Sequence, residues 1–204
     1  MTTAIAIIPA RGGSVRIPGK NKRMFMGVPI ITYSIEAAKE SRLFAHIFVS
    51  TDDPEIAQIA EAAGALPLTR LTLIDGESGT QAVMGHVLRT QTDAWKPQYA
   101  CCIYPTAPMM TARDLRQGWN RLCVPRTVYA MSVGTDPLHD PGQWYFGLAQ
   151  AFRDGLPLLD INTGIVPIPK ERCCDINTEE DWARAEHMYQ VWQESMIKER
   201  SEQA

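Results

Sequence analysis

The sequence has no long hydrophobic run, no paired cysteine spacing and no excess of positive charge, and each absence removes a class of function. The apolar stretch at 4–10 is far short of the roughly 20 residues needed to cross a bilayer, and the basic residues follow it rather than precede it, unlike a signal peptide. A cytoplasmic chain without membrane contact is the expectation. Five cysteines, an odd number, fall as Cys101-Cys102, Cys173-Cys174 and Cys123. Neighbours on a strand point to opposite faces, so these suit neither a disulfide framework nor a zinc site. Twenty basic against 23 acidic residues give a net charge of -3, which argues against a general nucleic-acid-binding face.

Acids are also missing from one place. Before Glu36 there is none, while Arg11, Arg16, Lys20, Lys22 and Arg23 give that stretch +5; the other 15 basic and 23 acidic residues carry -8. A local cluster of positive charge in an acidic protein points to one small anionic ligand. With 204 residues, 45% of them hydrophobic, the chain fits a single soluble domain spanning 1–204.

Short apolar or β-branched runs at 5–8, 46–50, 99–104 and 127–131 alternate with helical patterns, the signature of βαβ units on a mainly parallel sheet flanked by helices. Helices are expected over 29–39, 81–92 and 112–122. Another starts after Asp53 as N-cap, with Pro54 at its first position and Ile56, Ile59, Ala60 and Ala63 on one face before Gly64. The last begins at Thr178, pairs it with Asp181 in a capping-box-like start, and repeats Trp182, Ala185, Tyr189, Trp192 and Met196 three and four residues apart. The stretch 132–172, rich in Gly, Pro and Asp, breaks the alternation and reads as an inserted lid or arm within the domain, with short extended pieces at 143–146 and 164–168.

The first strand runs straight into Ile8-Pro9-Ala10-Arg11-Gly12-Gly13-Ser14-Val15-Arg16-Ile17-Pro18-Gly19-Lys20-Asn21. Ligands of open α/β sheets bind at such carboxyl ends. Adjacent glycines allow a tight turn whose amides can converge on phosphate, and Arg11 and Lys20 add charge. A Walker A loop is excluded, because five residues separate Gly13 from Gly19 and Lys20 is followed by Asn21. A dinucleotide fingerprint needs Gly-x-Gly-x-x-Gly with a helix opening at once, whereas this chain has adjacent glycines followed by a long basic loop.

Residues 8–21 resemble the signature of the sugar-acid cytidylyltransferases, whose usual form is I-P-A-R-G-G-S-K-x-I-P-x-K-N. Further matches are Val49-Ser50-Thr51-Asp52-Asp53, Arg70, Thr80, Cys101-Cys102-Ile103-Tyr104-Pro105-Thr106-Ala107-Pro108, His139-Asp140-Pro141-Gly142-Gln143-Trp144-Tyr145 and Asp175-Ile176-Asn177-Thr178. The cysteine pair and His-Asp blocks look most like the pseudaminic acid branch.

The resemblance implies a Rossmann-like nucleotide-diphospho-sugar transferase fold. It implies an enzyme that joins CTP to a nine-carbon sugar acid, pseudaminic acid or a close relative, releases pyrophosphate, uses Mg²⁺ and forms a homodimer. It places Ala10, Arg11, Gly12, Gly13, Ser14, Lys20, Asn21, Arg70 and Thr80 around the nucleotide, with Arg11, Lys20 and Asp175 as the catalytic electrostatic groups. His139, Gln143 and Tyr145 would meet the sugar, and Asp175 with Asn177 the metal. The chain departs from the pattern at Val15, where the signature carries Lys; at Leu71, where proline is common; at Asn177, where relatives carry a second acid; and by a shortening of about two dozen residues between Met131 and His139, judged against typical domain size. These departures leave open a homologue that binds CTP or CMP-sugar without turnover, and a cytidylyltransferase for another acid such as 3-deoxy-octulosonate.

Overall fold

The computed structural model describes residues 3–14, 16–69, 79–135 and 138–202. Arg70, Leu71 and Val15 lie outside them. In chain order the elements are β1 (Ala4–Pro9), β2 (Met24–Phe25), β3 (Val28–Pro29), α1 (Ile30–Ser41), β4 (His46–Thr51), α2 (Pro54–Ala62), β5 (Leu66–Thr69), α3 (Gly79–Thr90), β6 (Tyr99–Ile103), α4 (Ala112–Leu122), β7 (Tyr129–Thr135), β8 (Leu138–His139), β9 (Trp144–Leu148), α5 (Ala149–Arg153), β10 (Thr163–Ile168) and α6 (Glu179–Glu202).

The main sheet runs β10-β7-β9-β6-β1-β4-β5, with β8 paired to the end of β7. Pairings of β6 with β1, β1 with β4, β4 with β5 and β10 with β7 are parallel; β9 runs antiparallel between β6 and β7. Helices cover both faces, so β1 is apolar throughout. Ile5 and Ile7 pack with Val83, Met84 and Val87 of α3, whereas Ala6 and Ile8 pack with Ile31 and Ile35 of α1 and Ile56 of α2. Cys101 and Cys102 divide in the same way between the two faces.

The helix starts follow the sequence signals. Asp53 accepts from the backbone of Glu55 at 2.8 Å and of Ile56 at 3.2 Å, with Pro54 opening α2. At α6, Thr178 Oγ1 accepts from the Asp181 N–H at 3.1 Å, while Asp181 Oδ2 accepts from the Thr178 N–H at 2.9 Å.

The stretch 132–172, expected to stand as a lid, contributes the end of β7 and all of β8, β9 and β10 to the sheet. β9 occupies an interior position, with Trp144 and Phe146 buried on one face and Tyr145 on the other, and β10 extends the edge beyond β7. Of the two strands that seat β9, β7 lies just before it in sequence, but β6 lies more than 40 residues away. Local composition does not encode such pairing.

A third apolar cluster lies outside the sheet and serves the site. Ile17 of the basic loop, Phe25 of the β2–β3 hairpin, Ile176 before α6 and Trp182 on it are all buried together. Ile17 and Ile176 thereby tie the loop after β1 to the segment carrying Asp175 and Asn177.

Candidate nucleotide site

The parallel order places β1 beside β6 while the chain passes from one side of β1 to the other between β5 and β6. This is the switch point at which open α/β sheets leave a crevice at their carboxyl ends. A pocket of about 260 Å³ occupies it, walled by the loop after β1, the turn after β6 and the first turn of α3. It gathers Arg11, Ser14, Lys20, Asn21, Thr80 and Asn177, which the sequence assigns to the site, Arg16, one of the five clustered cations, and Val83, Tyr104, Pro105 and Thr106, which the sequence reading does not assign. The last three were legible as a wall from one signal: they follow β6 directly, and β6 neighbours β1.

The loop is held by side chains from three elements. Asn21, 6% exposed, donates from Nδ2 to the Arg11 carbonyl oxygen at 2.8 Å, so this donor holds the loop. Gly12 N–H donates to Asp52 Oδ1 at 2.8 Å, and Ser14 N–H to the Gly12 carbonyl at 3.0 Å. These two amides therefore point into the protein rather than converging on an anion. Ala10 is wholly buried, with its N–H bonded to the Ser50 carbonyl at 2.9 Å, and takes part through backbone only. Gly19 adopts φ of 63°, the left-handed turn that brings Lys20 back across the loop.

Positive charge is the pocket's dominant property. Arg11, Arg16 and Lys20 line it. Burial pushes the Lys20 amine below its ordinary 10.5; Asp175 opposes that shift, and the positive fields of Arg16 and Arg11 add to it. Three cations around one cavity repel one another, so a polyanion entering it gains their combined attraction. The N-terminal turn of α3 adds the positive end of a helix dipole through Gly79 and Thr80.

The residues expected at the sugar are divided. Tyr145 is 2% exposed and donates its hydroxyl to Thr80 Oγ1 at 2.7 Å, so it braces the pocket wall from behind. Gln143 is 3% exposed; its Nε2 donates to the Arg172 carbonyl at 2.8 Å, and its Oε1 is buried with no hydrogen-bond partner among the described residues. His139 sits on β8 opposite Gly134, exposed at the carboxyl end of the sheet. None of the three lines the pocket.

Asp175 is exposed at the rim, and Asn177 lies partly buried beside it. Asn177 Nδ2 donates to Asp175 Oδ2 at 2.5 Å, while its Oδ1 accepts from Arg16 Nη1 at 2.8 Å. A second carboxylate, Asp140, is close enough that Asp175 helps burial raise it above the usual range, against a hydrogen bond from the Gly142 N–H at 2.8 Å. For a divalent cation the donor set fits in part. Asp175 offers the hard oxygen such ions prefer. The Asn177 oxygen, expected as the second ligand, is turned away towards Arg16. Among the described residues there is no group of three or more His, Cys, Asp or Glu that could hold a metal ion.

A cationic crevice at the switch point of a parallel sheet, without a Walker or dinucleotide loop, defines an α/β protein with a site for an anionic ligand. Comparison with known proteins makes this specific. Residues 5–141 match the cytidylyltransferase family, and the chain belongs to it. The pseudaminic acid cytidylyltransferase of Campylobacter jejuni subsp. jejuni serotype O:23/36 (strain 81-176) is 30% identical over 227 residues, covering 94% of this chain and 98% of the relative. The N-acylneuraminate cytidylyltransferase of Escherichia coli O18:K1:H7 (strain RS218 / NMEC) is 36% identical over 108 residues, 52% of this chain and 25% of that protein. Among solved structures, CMP:2-keto-3-deoxy-manno-octonic acid synthetase complexed with CTP superposes with a TM-score of 0.74 at 18% identity, covering 93% of this chain and 99% of that one, a likeness of fold. No described helix is long and apolar enough to cross a membrane.

Proposed function

We propose that this protein transfers CMP from CTP to a nonulosonic acid, pseudaminic acid or a close relative, and releases pyrophosphate. The carrying observation is the crevice at the ends of β1 and β6, where Arg11, Lys20, Asn21 and Thr80 share one cavity. The similarity of 94% of the chain to a pseudaminic acid cytidylyltransferase supports a nonulosonic acid as the acceptor.

In this reaction an acceptor hydroxyl oxygen attacks the α-phosphorus in line, a new O–P bond forms, and the bond to the β-phosphate oxygen breaks as pyrophosphate leaves. Negative charge gathers on the departing oxygens. Arg11 and Lys20 neutralise it from fixed positions, because Asn21 holds the loop at Arg11 and the Ile176 carbonyl holds Lys20. Thr80, braced by Tyr145, presents its hydroxyl from the positive end of α3. A divalent cation such as Mg²⁺, when bound, supplies further charge to phosphate oxygens; Asp175 is its ligand in this reading, and Asn177 can join only after its amide turns over. The enzyme is proposed to act in the cytoplasm as a homodimer.

The test is pyrophosphate release from CTP in the presence of pseudaminic acid, other nonulosonic acids and 3-deoxy-octulosonate. Release with a nonulosonic acid supports the proposal; release only with 3-deoxy-octulosonate reassigns the acceptor. The turn of Asn177 towards Arg16 favours a second reading, a protein that binds CTP without turnover. Tight CTP binding with no pyrophosphate from any acid would select it.

A further inference from the structure

The Asn177 amide stands between a cation and an anion. Its NH₂ faces the Asp175 carboxylate at 2.5 Å, and its oxygen faces the Arg16 guanidinium at 2.8 Å. The reverse orientation would set NH₂ against guanidinium and oxygen against carboxylate, so both neighbours fix the amide as it stands. Its backbone is fixed too, since the Asn177 N–H donates to Asp181 Oδ2 at 3.0 Å. Arg16 immediately precedes Ile17 and Asn177 immediately follows Ile176, and both isoleucines are fully buried in one cluster. The arginine and the asparagine therefore meet across two anchored segments, and both line the pocket.

From this geometry we propose that Arg16 is a third phosphate-binding cation and that Asn177 is its positioning residue rather than a ligand of a divalent cation. The inference rests on the CTP reading above and deepens it. The chemistry favours a neutral residue in this role. An acid at 177 would pair with the guanidinium and cancel its charge, whereas an amide oxygen orients the guanidinium and leaves the charge for phosphate. The need for such a cation is local. Gly12 and Ser14 have their N–H groups engaged within the protein, and the loop carries Val15 where the family signature carries Lys. Side-chain charge supplies what those amides and that lysine do not. Part of the affinity for a triphosphate then survives without metal.

The experiment measures CTP binding to the full chain by calorimetry, in excess chelator and again with Mg²⁺, and Mn²⁺ binding without nucleotide by electron paramagnetic resonance. Wild type binds CTP in chelator. Arg16→Ala loses about tenfold or more of that affinity, as expected for a hydrogen bond between charged groups, and Arg16→Lys recovers part of it. Asn177→Ala weakens binding in chelator but leaves Mn²⁺ binding unchanged, and Asn177→Asp weakens it further. Arg16 is exposed, so its variants keep the fold, which circular dichroism verifies. Wild-type affinity for Arg16→Ala in chelator would overturn the inference. So would an Asn177→Ala protein whose only defect is in Mn²⁺ binding. If wild type binds CTP only with Mg²⁺, the inference fails and the CTP reading stands; if it binds CTP under neither condition, the proposed function fails as well.

Discussion

Lys20 donates from Nζ to the Ile176 carbonyl oxygen at 2.5 Å, which closes the basic loop onto the segment that carries Asp175 and Asn177. That contact places the amine in the crevice and removes it from water, and burial is the largest cause of its lowered pKa. Only the protonated amine attracts phosphate. In the free protein it loses its proton below the ordinary 10.5, whereas bound triphosphate favours the charged form. CTP affinity should therefore be level at lower pH and fall as pH rises through the depressed value. Titrations between about pH 7 and pH 10 measure this, and Lys20→Arg, which stays charged throughout, should abolish the fall. Wild-type CTP affinity in a Lys20→Ala protein near neutral pH would remove Lys20 from the phosphate site.

The two adjacent glycines make different demands. A Cβ on Gly12 would lie 2.7 Å from both Cβ and Oδ2 of Asp53. Asp53 cannot retreat freely, since it caps α2 and pairs with Lys22 Nζ at 2.8 Å. A Cβ on Gly13 meets nothing within 4 Å. Gly12→Ala should thus lower stability by about 1–3 kcal/mol, the usual cost of overpacking, and displace the loop. Gly13→Ala should leave the unfolding free energy from urea titration within about 0.5 kcal/mol of wild type. If triphosphate fills the open space above Gly13, the same variant weakens CTP binding. Equal stability of the two variants would contradict the packing at Gly12.

Tyr145 and Thr80 test the pocket wall. The tyrosine hydroxyl is buried and donates to Thr80 Oγ1, and burial carries its pKa far above the usual range, so it remains a donor at all working pH values. Tyr145→Phe removes that donor without altering the ring contacts to Tyr104 and Phe152. Stability should fall by about 1 kcal/mol in urea unfolding. The sugar-contact expectation from sequence differs here: it requires the KM for the acid to rise while CTP affinity holds. A loss confined to CTP affinity would assign Tyr145 to the nucleotide wall.

The parts legible in the sequence are those whose signals are local. Strands such as β1 are apolar because both faces are covered, and Asp53-Pro54 and Thr178 with Asp181 announce helix starts within a few residues. The basic loop was legible because its cations follow one another with no acid between them. What escaped depends on distant pairing. β9 read as a piece of a lid because Pro141 and Gly142 precede it, and its seat beside β6 follows from a partner far along the chain. Close packing was equally hidden: a Cβ on Gly118 would lie 2.5 Å from the Trp144 ring, and one on Gly147 2.4 Å from that of Tyr129. Gln143 and Tyr145 were chemically suitable sugar contacts, but burial turns their side chains into the protein. The orientation of Asn177 could not be read from sequence, because it depends on Arg16, which is 161 positions away.

Arg172 and Asp114 carry the last prediction, because they anchor the site segment from behind. Arg172 Nη2 donates to Asp114 Oδ1 at 2.9 Å and Nη1 to Oδ2 at 2.5 Å, and the Asp114 side chain is 4% exposed. Asp114 also completes the capping box with Thr111 at the start of α4. Burial alone would raise its pKa, but hydrogen bonds from Arg172 and Thr111 overcome this and hold it below its ordinary 3.8. A carboxylate depressed in the folded state contributes stability above its unfolded pKa and loses it as pH falls through the folded value. Wild type should therefore lose this contribution only below about pH 3.8. Arg172→Met leaves a buried, uncompensated carboxylate and should cost about 3–5 kcal/mol at neutral pH. With its partner gone, burial raises the Asp114 pKa, so the sign reverses and the variant should gain stability as pH falls through that raised value towards the unfolded pKa of about 3.9. Urea unfolding of both proteins across this range decides the matter. Parallel pH profiles would mean that the pair does not couple as its geometry requires.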